Sequence, residues 1–438
     1  MNETATVRSV EVFRPDWAKT RDIDEMAFCQ DFNALYRLIW VDGAFFSWRG
    51  MEPEERVRKW IYDTIKPYYG THLTARVNTL AETLKMETRM EDFPQSESAI
   101  HCRNGTYNAV SETFSTQLRQ CRCRLPVNYN PQAPEPERWL AFLNDLLEPE
   151  DILTLQEFMG YCLVPVNYAQ KMLLIIGNGG EGKSRIGIVA SHLFGSNMAN
   201  GSLTKLEKSP FARADLQHRL LMVDDDLQME ALTTTGVIKS VITAEQPMDL
   251  ERKGVQSHQG KLHCRLMAFG NGNLRSLHDR SHGFFRRQII LTAKPRPADR
   301  TDNPYLAQEL TEELEGILLW CIQGLKRLLE QNMAFTLSAA AHRNLEQAMA
   351  EGNNTLDFLR SQGYIRMDPA GEISTRQLYD LYRDWCQDNA TSPLSCKTFS
   401  NFLQMSSDRF GIQYTNRIPG GNNRLVRGFR GIRSAGQF

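Results

Sequence analysis

Gly177-Asn178-Gly179-Gly180-Glu181-Gly182-Lys183-Ser184 is the segment of this chain with the most specific chemistry. It fits G-x-x-x-x-G-K-[ST], follows the apolar run 172–176 and precedes a helical pattern of Ile186, Ile188 and Val189. Glycines let a turn wrap phosphates with backbone N–H groups, the lysine brings a point charge to the β- and γ-phosphates, and the serine hydroxyl ligates Mg²⁺. The segment is expected to be a P-loop binding ATP with Mg²⁺ rather than a chance Gly-rich turn.

Hydrolysis also requires a carboxylate that holds the metal and another that polarises water. The apolar run Leu220-Leu221-Met222-Val223 ends in Asp224-Asp225-Asp226. Asp224 is expected at the metal through its water shell and Asp225 as the base; a solvated acidic loop is the plainer alternative. A further apolar run, Leu266-Met267-Ala268-Phe269, ends in Gly270-Asn271-Gly272-Asn273. Asn271 is expected to orient water or sense the γ-phosphate, although Asn-Gly also forms simple turns. Gly283-Phe284-Phe285-Arg286-Arg287 follows, and Arg286 is read as an arginine finger reaching a neighbouring subunit's γ-phosphate.

These residues need a sheet to hold them. From Lys171 onward the chain alternates strand, Gly-rich turn and helix, with strands expected at Leu220–Val223, Leu266–Phe269 and Gln288–Leu291, an α/β pattern with a mostly parallel sheet. Residues 1–168 are expected to form a mainly helical domain, with a hairpin at the turn pair Asn104-Gly105 and a core hairpin of Trp40, Phe45, Phe46 and Trp48. Residues 169–352 form the ATPase domain. Within it, Met248-Asp249-Leu250-Glu251-Arg252-Lys253-Gly254 suggests a hairpin with basic residues at its tip. Residues 353–438 read helix, helix, then two strands around Pro419-Gly420-Gly421-Asn422-Asn423, a winged-helix order.

At 438 residues, with 41% hydrophobic and 24% charged residues, the composition excludes collagen, coiled-coil fibre and wholesale disorder, and the length suggests about three domains. The longest apolar runs fall far short of the roughly 20 residues of a membrane span, so no membrane partner is expected. The N-terminus lacks a basic region followed by an apolar core, and nine scattered Cys read as reduced thiols, so a cytoplasmic location is expected. Cys121, Cys123, His101 and Cys102 lack the pair spacing of a zinc site. The net charge of −1 conceals an asymmetry, because from Lys397 onward seven basic residues face one acid. Arg417, Arg424, Arg427 and Arg430 lie in that tail and are expected to contact DNA phosphates.

In this order, the Gly-rich loop, acidic strand end, basic hairpin, strand-end Asn and Gly-Phe-Phe-Arg-Arg element resemble the superfamily 3 DNA helicases of the phage, plasmid and poxvirus primase-helicase type. Leu155-Gln156-Glu157-Phe158-Met159-Gly160-Tyr161 and Leu378-Tyr379-Asp380-Leu381-Tyr382-Arg383-Asp384-Trp385-Cys386 extend the likeness to both flanks of the motor. The resemblance implies an AAA+-like ATPase and a ring-forming homo-oligomer, usually a hexamer, that moves on single-stranded DNA and opens forked DNA during replication. A separate primase or host replication proteins are the partners such a motor would take, because the additional N-terminal region that houses a primase in the longer fused members of the family is expected to be missing here. Carried over by position, Lys183 and Ser184 match the phosphate loop, Asp224 and Asp225 the acidic pair, Asn271 the sensor and Arg286 the finger. Arg252 and Lys253 match the hairpin that projects a lysine into the ring channel. The family's sensor strand leads to Asn-x-x-Pro, which is missing here, so Asn271 and Asn273 both stay open as the sensor. An ATP-switched replication initiator or regulator without unwinding activity is the alternative function.

Overall fold

The computed structural model describes residues 14–436 except 92, 94–96, 228–231, 233, 273–281, 298–302, 353, 362, 390, 392, 406 and 420–424. Its contacts form two units. The first takes the described residues up to 272, Leu232 apart, together with 286–341; the second takes the rest.

The first unit opens with α1 (Glu25–Tyr36), three short strands β1 (Ile39–Val41), β2 (Ala44–Ser47) and β3 (Gly50–Glu52), then α2 (Glu54–Ile65) and α3 (Leu73–Glu87). The Asp24 carboxylate accepts the Ala27 N–H at 3.1 Å and so caps α1. Asp42 and Gly43, both at positive φ, make the two-residue turn between β1 and β2. Phe45 and Phe46 on β2 have no exposed surface, and Phe45 packs with Phe28, Ile61 and Leu84, giving the expected aromatic core hairpin.

A second antiparallel sheet joins β4 (Ala99–Cys102), β5 (Gly105–Asn108) and β6 (Thr113–Ser115). Its first turn is Arg103-Asn104 rather than Asn104-Gly105, because Cys102 pairs with Gly105. Gly105 serves close approach instead: a Cβ there would stand 2.3 Å from the Ser115 carbonyl oxygen.

Helices α4 (Glu137–Leu146) and α5 (Pro149–Tyr161) lead into the central sheet. The order continues β7 (Met172–Ile176), α6 (Ser184–Phe194), β8 (Met198–Asn200), α7 (Leu203–Lys208), α8 (Pro210–Ala214), β9 (Leu221–Leu227) and α9 (Gly236–Thr243). Then come β10 (Met248–Arg252), β11 (Val255–Gly260), β12 (Arg265–Gly270), α10 (His282–Phe285), β13 (Gln288–Thr292), α11 (Leu306–Thr311), α12 (Leu314–Glu330) and α13 (Ala339–Gly352). Five parallel strands are ordered β13-β7-β12-β9-β8. This is the α/β arrangement expected from the alternating pattern, with β12 inserted between β7 and β9. All five C-terminal ends therefore share one edge, where ligands of such sheets bind.

One apolar core runs from Ile100 and Trp139 through Leu173, Met267 and Ile289 to Leu325 and Ala341. Helices α5 and α12 meet backbone to backbone. A Cβ on Gly160 would lie 2.3 Å from the Cys321 carbonyl oxygen, and one on Gly324 would lie 2.3 Å from that of Gln156. The fully buried Glu157 carboxylate fastens the same contact, accepting from Arg327 Nε at 2.6 Å and from the Thr336 N–H at 2.7 Å. Arg265, at the start of β12, is buried and donates to the Cys162 carbonyl at 2.9 Å and to that of Val164, tying the α5–β7 connector to the sheet.

Besides α10 and α13 from His342 onward, the second unit contains α14 (Asn354–Arg360), β14 (Ile365–Ser374), α15 (Thr375–Asp388), α16 (Cys396–Met405), α17 (Ser407–Phe410), β15 (Gln413–Pro419) and β16 (Leu425–Ser434). Ser374 and Gln377 form a capping box that starts α15, and Ser395 Oγ accepts the Thr398 N–H at 3.2 Å to cap α16. The expected order of helix, helix and two strands is present, and β14 adds a third strand in the antiparallel order β14-β16-β15.

Candidate functional site

The Gly-rich segment spans the turn from β7 into α6, so its backbone lies at the C-terminal edge of the sheet and the N-terminus of an 11-residue helix. Gly179, Gly180 and Gly182 have φ of 102°, 82° and 109°, a region that side chains with a Cβ avoid, which lets successive N–H groups converge. The Glu181 carboxylate fills that convergence. Its oxygens accept the Gly179 N–H at 2.9 and 3.0 Å, the Asn178 N–H, and the Lys183 ammonium at 2.7 Å. Glu181 and Lys183 are 2% and 7% exposed. Burial would raise the Glu181 carboxyl, but Lys183 and the loop N–H groups outweigh it and hold the group below the usual range. The donor set is thus one that holds an anion with several N–H groups and one ammonium.

A cavity of about 570 Å³ opens over the loop. Exposed Ser184 begins α6 at its edge, and Asp225 and Asp226 line it from β9, with Asn271 from the end of β12. Asn271 arrives beside the loop because the Gly177 N–H donates to the Gly270 carbonyl at 3.0 Å and β12 pairs with β7 up to Gly270↔Ile176. A shift in register between β9 and β12 sets Asp225 and Asp226 together against the single residue Phe269. Both therefore reach the cavity. Asp224 is not among its lining residues. That carboxylate is buried, accepts the Leu203 N–H at 2.8 Å at the start of α7, and is raised by burial against the opposing pull of that N–H.

Arg296 and Asn303 are polar cavity residues that belong to no sequence motif. Arg296 follows β13, and its Nη1 lies 3.7 Å from where a Cβ on Gly180 would stand; Asn303 precedes α11. Arg286 is elsewhere. It precedes β13, whose Gln288 pairs with Met172 and whose Thr292 pairs with Ile176, so it sits at the opposite edge of the sheet, roughly 16 Å of strand away from the loop. Lys171 Nζ donates to its carbonyl there.

The basic hairpin forms. Arg252 pairs with Val255, and Lys253-Gly254 is the turn, with Gly254 at φ 76° and Lys253 exposed. Arg252 points back, donating from Nη2 to Gln217 Oε1 at 3.0 Å, which anchors the base of the hairpin. In the second unit, β15 and β16 pair at Thr415↔Gly428 and Ile418↔Val426, with a register shift that brings Asn416 and Arg417 opposite Arg427. Both arginines are exposed. Arg430 Nε instead meets Glu372 at 2.8 Å, and Arg433 Nε meets Asp368 at 2.7 Å. Asn273 and Arg424 lie outside the described residues.

Residues 26–148 match a family described as D5 N-terminal-like, and residues 175–287 match DUF5906, a family of unknown function. Among solved structures, the chain is similar to the A-form apo C-terminal region of NrS-1 (residues 305–718), at 11% identity, 93% coverage of this chain, 99% of that one and a TM-score of 0.50. A second apo structure of that region gives 9%, 93%, 99% and 0.48. At such identities the likeness concerns the fold. No described helix is long and apolar enough to cross a membrane.

Proposed function

We propose that this chain is an ATP-dependent DNA helicase, a superfamily 3 motor of the phage, plasmid or poxvirus primase-helicase type with an AAA+-like P-loop ATPase and a winged-helix tail. The observation that carries the reading is the convergence of Lys183, Ser184, Asp225, Asp226 and Asn271 on one cavity at the C-terminal edge of a parallel sheet. The D5 N-terminal-like match ahead of it supports the replication context.

In this reading the loop N–H groups and Lys183 hold the phosphates of ATP. Mg²⁺, when bound, neutralises developing phosphate charge. Ser184 and the two cavity carboxylates would hold it. Asp225 and Asp226 take the metal and base roles in place of Asp224, whose carboxylate is engaged by the Leu203 N–H. Asn271, between the loop and the acids, orients water. Arg296 serves the phosphates of its own chain, and Arg286, remote from that loop, serves the neighbour in a ring. Lys253 meets a DNA phosphate at the hairpin tip, a contact that positions without reading sequence.

Mg-ATP turnover with and without single-stranded DNA, measured beside strand displacement on a forked duplex, tests this. Wild type turns over ATP, is stimulated by DNA and unwinds; Lys183→Ala is silent in all three. Lys253→Ala keeps basal turnover and loses stimulation and unwinding. ATPase without strand displacement would favour the initiator-switch function, and no turnover at all would remove the motor reading.

A further inference from the structure

The anion cradle of the loop is filled by a side chain of the loop itself. The Glu181 carboxylate takes two loop N–H groups and the Lys183 ammonium, the groups assigned above to phosphate. The packing is fitted to that arrangement: a Cβ on Gly177 would stand 2.8 Å from Glu181 Oε1 and 2.9 Å from Lys183 Nζ, so only glycine leaves room for the pair. Resting on the nucleotide reading of this loop, we propose that Glu181 is a resident competitor that occupies the phosphate position of the nucleotide-free site and must swing out before a nucleotide enters.

The argument is one of charge and exclusion. A phosphate oxygen and a carboxylate oxygen cannot both accept from the Gly179 N–H and Lys183, and two anions a few ångströms apart repel in a site shielded from water. Binding therefore draws only on the fraction of molecules in which Glu181 has left. Apparent affinity is reduced by that fraction, so a plug in place nine times in ten weakens binding tenfold. Opening also precedes binding, which gives the association kinetics a ceiling set by the rate of departure. The device keeps the loop ordered without nucleotide while making nucleotide capture selective for ligands with enough phosphate charge to displace a carboxylate.

The test uses the full chain, with Mg-ATP and Mg-ADP as probes in isothermal titration and stopped-flow fluorescence of a labelled nucleotide. Glu181→Gln keeps the side-chain shape and removes the charge; Glu181→Ala removes the plug. Both should bind ATP roughly tenfold tighter than wild type, and the wild-type association rate should saturate with nucleotide concentration where that of Glu181→Ala rises linearly. If wild type binds and Lys183→Ala does not, while both Glu181 variants bind no tighter than wild type with the same saturation, the plug is wrong and the nucleotide site stands. If wild type and all three variants fail to bind while their unfolding transitions remain cooperative, the nucleotide reading itself fails. Binding by Glu181→Ala alone would support both.

Discussion

Arg286 and Arg296 flank β13 from opposite ends, one before its first residue and the other beyond its last, so a single strand separates a cation at the loop from one that cannot reach it. On the proposed reading, Arg286 is then a finger that serves a neighbouring chain and not its own loop. Mixing experiments separate the two. Arg296→Ala and Lys183→Ala disable the same site and should not complement each other, whereas Arg286→Ala mixed with Lys183→Ala should regain turnover at interfaces joining an intact loop to an intact finger. Equal behaviour of the two arginine variants across mixing ratios would refute the division.

The acidic run divides in the same way. Asp225→Asn and Asp226→Asn should each lower ATP turnover by at least a hundredfold with nucleotide binding kept, since they face the cavity. Asp224→Ala should act on stability, costing about 2 kcal/mol by leaving the Leu203 N–H unpaired. Urea unfolding and steady-state turnover on the three variants decide it; loss of turnover at wild-type stability in Asp224→Ala would return that residue to the metal.

For the tail, salt titration of duplex binding is the measurement. Each phosphate contact contributes about −0.9 to the slope of log affinity against log salt. Arg417→Ala and Arg427→Ala should each flatten the slope by about one, and Arg430→Ala, whose guanidinium meets Glu372, by much less. A flattening by Arg430→Ala equal to the other two would assign the DNA contact to the whole strand.

His101 supplies a pH test. Burial, with Arg124 beside it, lowers this imidazole to about 4, and its Nδ1 lies 2.9 Å from Thr106 Oγ1. The unfolded chain titrates near 6.5 and so binds more protons across that window, which means stability falls as pH drops from about 6.5 to 4. The fall attributable to His101 is up to about 3 kcal/mol. Unfolding free energies of wild type and His101→Gln between pH 7 and 4.5 should converge on acidification, and parallel curves would show that the histidine is not held neutral.

Part of this was legible in the residue order. The β7-loop-α6 unit follows from an apolar run meeting glycines and then a helical period, and the hairpin tip from Lys253-Gly254 after an alternating stretch. What escaped was non-local. Strand β14 contains Pro369 and Gly371, which locally read as a break, and it exists because β16 pairs with it on both sides of a register shift. The shift between β9 and β12 that sends Asp225 and Asp226 together into the cavity has no signature in three consecutive aspartates. Arg296 sits in Lys294-Pro295-Arg296-Pro297, a sequence with no motif, and is recruited by where β13 ends. Glu181 occupies a position the loop pattern leaves unspecified, so only coordinates reveal its role.

The reciprocal glycines of α5 and α12 bear on how this protein can be taken apart. Because each helix rests its backbone on the other at Gly160 and Gly324, the helix that follows the sheet has no complete surface without the helix that precedes it. A graft cut at the first strand, β7, would carry α12 with its groove empty and Glu157 left behind. Because Ile100 and Tyr107 belong to the same core as the sheet, the smallest transplantable piece begins ahead of β4, near Ala99, and a protease nicking the connector at 162–171 would leave two fragments that still hold together.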